Sequence, residues 1–390
     1  MNKSVKLQFI QLLLIIVSIT IAIRASNNMI ITTLPLFAKY VLYFPPRLVG
    51  VLATILSLFT FISSGFLNSR LRVRIRRITF IMSSFLYIAI FPLFYISTNI
   101  TIWMISALAG FIMGFIMPNI ITAAGLLKDR KARERLLSIY TLALSFSLII
   151  GPSLESFLLD FLSLREIFLA FTPFGLATAI LSVFIKFPDE QRESTRISVS
   201  NVLKNPGFKV ATYNILSYNL VFSFLTTFGG IYAISSFHAT YSLTTLLFSA
   251  FFITSFLARL TLSIRPINKI WKGVIISIVL STLGLTLIFI GKSLPLYVMA
   301  LLILGIPHGL TYPLSLISIS RTFELQFRNS ANSLFFSVMM LIGIITPLIS
   351  GFIVEIIGIK NTFILLVPFI ILMLVLIKRN ISLVDKFVQH

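Results

Sequence analysis

Ala109-Gly110-Phe111-Ile112-Met113-Gly114-Phe115-Ile116-Met117-Pro118 and Leu304-Gly305-Ile306-Pro307-His308-Gly309-Leu310-Thr311-Tyr312-Pro313 carry Gly, Gly and Pro at the same three places. The two stretches lie 195 positions apart, half of the 390-residue chain. At the same offset Arg133 meets Arg328, Pro152 meets Pro347, Asp160 meets Glu355 and Arg165 meets Lys360. Most of the identities are Gly or Pro, which set backbone geometry rather than fill apolar volume. The chain therefore reads as one helical bundle written twice.

What surrounds these stretches is apolar: 57% of the chain is hydrophobic and 11% charged, with a mean hydropathy of +1.03. A soluble domain of this length keeps far more charge outside. The apolar runs reach ~20 residues or more, enough to cross a hydrocarbon core of ~30 Å. The first is followed directly by others, so it reads as a spanning helix and not as a cleaved signal segment. The sequence has no cysteine and only three scattered histidines, which removes disulfides, thiolate sites and any zinc pattern. It also lacks a GxxxxGK[ST] segment for nucleotide phosphates. No nucleophile–base pair stands at matched depth, so neither an enzyme nor a metal or other cofactor is expected.

Twelve candidate spans follow: 8–38, 46–69, 75–97, 101–127, 135–159, 164–186, 209–236, 242–264, 270–291, 295–322, 329–355 and 361–379. The net charge of +21 is distributed by loop. Basic groups crowd alternate connections: Arg70 to Arg77 after the second span, Lys128 to Arg135 after the fourth, and Arg259, Arg265, Lys269 and Lys272 after the eighth. Arg321 and Arg328 follow the tenth. The opposite loops hold only Lys39, Arg47, Arg165, Lys292 and Lys360, and Arg24 is left inside a span. By the positive-inside rule both termini are cytoplasmic, in a multi-pass protein of the cell membrane. The basic excess is a topology signal, not a nucleic-acid footprint. The one long polar segment, 187–207, separates an N-terminal six-helix bundle (1–186) from a C-terminal one (208–390), and Asn205-Pro206-Gly207 breaks the chain before the seventh span.

On these features the chain resembles the major facilitator superfamily over its whole length. Gly65-Phe66-Leu67-Asn68-Ser69-Arg70 looks like the family's G-x-L-x-D-R loop, with Ser69 in place of the acid. Ala109-Gly110, Gly114 and Pro118 look like the small-residue stripe of its fourth span, with Ser106 where an arginine is expected. Ser147, Gly151 and Pro152 are similar to the GxxxGPxxGG pattern associated with antiporters, with Glu155-Ser156 replacing the closing glycines. The resemblance implies an all-α membrane protein of two pseudo-symmetric six-helix bundles. It also implies that the first, fourth, seventh and tenth spans line a central cavity, and that Gly65, Arg70, Arg133 and Arg328 belong to a cytoplasmic gate.

The residues themselves support part of this. Gly110 and Gly114, like Gly305 and Gly309, lie four apart on one helix face and permit close approach of a neighbour. Pro118, Pro152, Pro313 and Pro347 can bend their spans, as Gly151 beside Pro152 allows. Arg24 sits midway along the first span, with Asn28 and Thr32 on the same face. An intramembrane cation is costly, so it either holds an anionic solute or closes an internal contact, with Glu155 a candidate partner. His308 could bind solute or carry a proton, or simply bond a neighbouring helix. Glu155 could carry a proton if buried, pair with Arg24, or be solvated. Tyr218, Asn219 and Tyr312 are candidate hydrogen-bonding groups in the cavity, or polar glue between helices.

The expected activity is secondary active or facilitative transport of a small organic, anionic solute by alternating access. Arg24, Asn28, Tyr218, Asn219, His308 and Tyr312 are the expected binding residues, and Glu155 and His308 the proton-coupling candidates. The expected partners are the solute, membrane lipid and protons or a counter-ion, for a monomer that binds no nucleic acid. Export of hydrophobic compounds by the same fold is the first alternative, and a non-transporting membrane sensor the second.

Overall fold

The computed structural model describes residues 3–124, 130–185, 187, 198–265 and 267–386. Among the described residues every regular element is helical. Twelve helices are long and apolar enough to cross a membrane: spans 1 to 6 are Ile10–Tyr40, Pro46–Leu67, Arg74–Tyr95, Thr101–Ile120, Ile139–Leu159 and Glu166–Val183. Spans 7 to 12 are Pro206–Phe237, Tyr241–Ile264, Ile270–Ile290, Leu294–Thr322, Ser330–Ile357 and Ile359–Asp385. The fourth was expected to run to residue 127, of which 125–127 fall outside the described residues, as does 188–197 of the segment 187–207.

Two boundaries differ from the sequence reading for clear physical reasons. Asn205-Pro206-Gly207 was expected to break the chain before a span starting at 209; the break falls at Asn205, between the helices Val199–Lys204 and Pro206–Phe224, and span 7 starts at Pro206. The Asn205 side-chain oxygen accepts from the backbone N–H of Gly207 (2.8 Å) and Phe208 (3.2 Å). Pro206 occupies the first turn, where a missing N–H costs nothing. Span 12, expected to stop at 379, carries Lys378 and Arg379 within the helix and continues to Asp385. Its Asp385 carboxylate accepts from the backbone N–H of Ile270 (2.8 Å) and Trp271 (3.2 Å), capping span 9, and pairs with Arg321 at 3.2 Å. Arg321 also donates to the carbonyls of Ile267 and Asn268, so one cluster ties the ends of spans 9, 10 and 12.

The repeat in the sequence is a repeat of contacts. A Cβ on Gly110 would fall on the Leu56 carbonyl oxygen, and one on Gly114 on the Thr60 carbonyl and Ser63 side chain. In the second half a Cβ on Gly305 would fall on the Phe251 carbonyl, and one on Gly309 on Ser255 and Ala258. Leu56 and Phe251, Thr60 and Ser255, and Ser63 and Ala258 are themselves 195 positions apart. Span 4 thus packs on span 2 as span 10 packs on span 8, backbone against backbone. Pro118, Pro152, Pro313 and Pro347 all lie inside their helices. Single π-helical turns interrupt span 2 at Ile62–Leu67 and span 7 at Leu225–Gly229, the second beside the Gly229-Gly230 pair.

The chain forms two compact units. One comprises Met1–Phe44, Leu52–Gln191 and Tyr241–Ser249; the other comprises Pro45–Val51, Arg192–Thr240 and Ala250–His390. In the first, Ser153 donates to Ser249 at 3.0 Å. In the second, a Cβ on Gly50 would fall on the Pro347 carbonyl, so a further glycine permits close packing.

Because the clashes are with backbone, Gly110→Ala and Gly305→Ala should each destabilise the protein by about 1–3 kcal/mol. Gly343→Ala, whose Cβ meets nothing within 4 Å, should be neutral. Thermal unfolding of the purified variants in detergent checks this, and equal midpoints for all three would contradict it.

Candidate functional site

In the first unit, span 1 presents Arg24 and Asn28 one helical turn apart. Arg24 is half-buried, and its guanidinium makes no hydrogen bond or ion pair to any described residue. Asn28 is 4% exposed, and its buried amide nitrogen also has no acceptor. Unpaired buried donors are rare because each forfeits its hydration without replacement. Arg24 and Asn28 together put donors without a described acceptor on one face of span 1.

Further along span 1, Thr32 and Thr33 turn to Glu155 on span 5. Thr32 Oγ1 lies 3.0 Å from one carboxyl oxygen, and Thr33 Oγ1 bonds the other. Gly151 makes this possible: a Cβ there would sit 2.9 Å from the Ala25 carbonyl, so the two spans approach closely one turn before Glu155. The carboxyl is fully buried. It pairs with the two threonines and not with Arg24, which removes both the ion-pair and the solvated alternatives. Thr32 has a single proton but also lies 2.9 Å from the Asn28 carbonyl and 3.2 Å from that of Met29. When that proton goes to the backbone, the carboxyl must supply the hydrogen between Thr32 and Glu155.

In the second unit the Gly305 and Gly309 contacts bring span 8 against His308. His308 Nδ1 lies 2.7 Å from Ser255 Oγ, while Nε2 has no partner among the described residues. The rings of Phe222, Phe251 and Phe252 surround the imidazole at centroid distances of 4.4, 5.2 and 5.6 Å. At the repeat positions the first unit has Met113 and Thr60, and Thr60 bonds its own helix at the Leu56 carbonyl. Tyr218 donates its proton to the Leu304 carbonyl, leaving only acceptor capacity for a solute. Asn219 makes a long bond, 3.4 Å, to the Met339 carbonyl, and Tyr312 lies 6.0 Å from the Phe336 ring.

One functional candidate escaped the sequence reading. Arg259 was counted with the loop after the eighth span, but it lies inside that helix, one turn beyond Ser255. It is half-buried, on the helix that supplies the Ser255 partner of His308. The signal was present, since position 259 falls within the 242–264 apolar run; grouping it with Arg265 hid it.

The sequence profile of the Major Facilitator Superfamily matches residues 16–314 and 231–382. The chain belongs to the major facilitator superfamily. Its fold is similar to that of a bacterial homologue of the human lysosomal transporter Spinster in an inward-facing, occupied conformation. That match has 12% identity, covers 98% of this chain and 99% of the other, and has a TM-score of 0.72. The nucleoside transporter NupG aligns at 13% identity over 94% of this chain and 99% of its own, with a TM-score of 0.74. A POT family transporter in complex with a thioalcohol-conjugated peptide aligns at 12% identity over 95% and 96%, with a TM-score of 0.76. No curated protein matches the chain. Family and fold make this a multi-pass membrane protein with a transporter architecture, and they point away from an enzyme.

The segment that resembles the superfamily's loop motif is held by amides. Asn119 on span 4 donates to Asn68 at 2.9 Å, at the end of span 2. Gly65 lies in the π-helical turn, where a Cβ would meet only the Phe61 ring at 3.5 Å, an ordinary contact. Arg70 is exposed. Arg328 donates from Nε to the Phe323 carbonyl at 3.0 Å, just past the end of span 10. The Arg133 side chain lies outside the described residues. Among the described residues no group of three or more His, Cys, Asp or Glu is placed to hold a metal ion.

Removing the Ser255 hydroxyl leaves His308 Nδ1 unpaired among phenylalanines. Ser255→Ala should therefore cost about 1–3 kcal/mol of stability. Its repeat counterpart Thr60→Ala, which removes only a bond within one helix, should cost less; thermal melts of both variants make the comparison.

Proposed function

We propose that this protein is a secondary active or facilitative transporter of a small organic anion, working in the cell membrane by alternating access of its halves, 1–186 and 208–390. The observation that carries the reading is the Arg24–Asn28 surface. A cation in the middle of a span costs at least ~3 kcal/mol on insertion scales. No described residue offsets that cost, whereas a bound carboxylate or phosphate would do so through planar, charge-assisted hydrogen bonds. Asn28 adds a neutral donor beside it. In this reading Asn219, His308 Nε2 and Tyr312 shape the remainder of the solute, Tyr218 is a strut with one free acceptor, and Arg259 keeps the His308 region positive.

Glu155 is the proposed proton carrier. A buried carboxylate without a cation is costly, and a bound proton removes that cost while completing the hydrogen bond to Thr32. His308 remains a second candidate. Gly65, Arg70, Arg133 and Arg328 belong to the proposed cytoplasmic gate. Both termini and the segment 187–207 are placed in the cytoplasm on the loop-charge asymmetry, and the protein is taken to act as a monomer. Fold neighbours described as a nucleoside transporter and as a transporter complexed with a conjugated peptide are consistent with a small organic solute. The phenylalanine cradle around His308 favours a second reading, export of hydrophobic compounds.

Purified protein screened by thermal shift against organic anions, cations and neutral apolar compounds separates the two, since a ligand raises apparent stability by mass action. Anions should stabilise the parent and not Arg24→Gln; stabilisation by apolar compounds alone, unchanged in Arg24→Gln, would sink the anion reading. In proteoliposomes, Glu155→Gln should flatten the pH dependence of uptake while leaving uptake itself measurable. A pH profile that matches the parent removes Glu155 from coupling.

A further inference from the structure

Spans 8, 9 and 10 enclose a crevice of about 380 Å³ in the second unit. Leu257, Leu262, Ile276, Ile306 and Leu310 are among the residues of its largely apolar wall. Leu262 and Leu310 are each 8% exposed and make the floor, whereas Leu257 and Ile276 are 51% and 47% exposed and make the rim. The crevice therefore opens sideways, toward the hydrocarbon. It also runs from Thr254 to Arg265 along span 8. At the rise of an α-helix those eleven steps cover about 16 Å, which is half of a ~30 Å hydrocarbon core and hence the depth of one leaflet.

Charge marks one end of this apolar slot. Arg265 directly follows Ile264, the last residue of span 8, and is exposed. Its side chain has no hydrogen bond or ion pair with any described residue. The nearby acid is already engaged: Asp385 pairs with Arg321 and caps span 9. Lys269 and Lys272 are exposed on the same connection and raise the local positive potential. No described acid pairs with Arg265, so its guanidinium is open to an anionic group at the level where lipid phosphates lie.

We propose that this crevice is a binding site for an anionic phospholipid, with one acyl chain along the slot and the headgroup phosphate on Arg265. The site is separate from the Arg24–Asn28 surface and does not depend on the transport reading. A free anion would leave the apolar wall unfilled, and a neutral hydrocarbon would leave Arg265 unpaired.

Native mass spectrometry of the full-length protein in mild detergent, titrated with phosphatidylglycerol or phosphatidylcholine, tests this. The parent should retain one phosphatidylglycerol under conditions that strip phosphatidylcholine. Arg265→Gln should weaken retention about fivefold, the worth of one interfacial cation. Thr261→Trp, at an exposed position lining the slot, should abolish it, with Leu257→Trp as a second blocking variant. Lys269→Gln, outside the slot, lowers only the general potential and should lose clearly less than Arg265→Gln. Equal retention of the two lipids, full retention by Arg265→Gln or by both blocking variants, or an equal loss in Lys269→Gln would each overturn the proposal.

Discussion

In a bilayer, helices gain nothing from hiding apolar side chains from one another, because lipid tails are equally apolar. What holds them together is contact area and satisfied polar groups. The backbone contacts of span 4 on span 2, and of span 10 on span 8, meet that constraint directly. Gly110, Gly114, Gly305 and Gly309 each sit where a methyl group would strike a neighbour's main chain. Other features follow from this spacing. Ser255 reaches His308 only because its own carbonyl is against Gly309, and Glu155 reaches Thr32 and Thr33 because Gly151 admits Ala25.

On that shared frame the two halves diverge in chemistry. The first keeps an unpaired guanidinium and amide on span 1 and a buried carboxyl on span 5. The second keeps an imidazole in a ring of phenylalanines with an arginine one turn from its hydroxyl partner. Such groups are expensive in hydrocarbon, and those with satisfied partners read as structure. Tyr218 on Leu304 is of that kind. Arg24 and Asn28 are not, which is why the functional proposal rests on them and not on Tyr218 or Asn219 of span 7.

The fold was legible because its signals are strong and redundant: apolar length, loop charge, and a doubled Gly and Pro pattern. Span limits were legible less well where a polar residue does structural work at the end of a helix. Asn205 looks like a breaker until its amide is seen capping span 7, and Lys378 and Arg379 look like a tail until Asp385 is seen anchoring the helix beyond them. At the candidate site the sequence could name Arg24, Glu155 and His308 from depth alone. It could not tell which of them are paired, since pairing depends on which helix lies alongside. Arg259 was missed because a cation near the end of an apolar run looks the same whether it faces water or the bundle.

The cluster at Asp385 has a bearing on how the protein is made. The carboxylate that caps Ile270 is encoded 115 residues later, roughly ten seconds of synthesis at ordinary rates of translation. Until Asp385 has been made, the first amides of span 9 lack this cap and Arg321 lacks this acid. The tie between the start of span 9 and the end of span 10 is thus completed only by a residue at the far end of span 12.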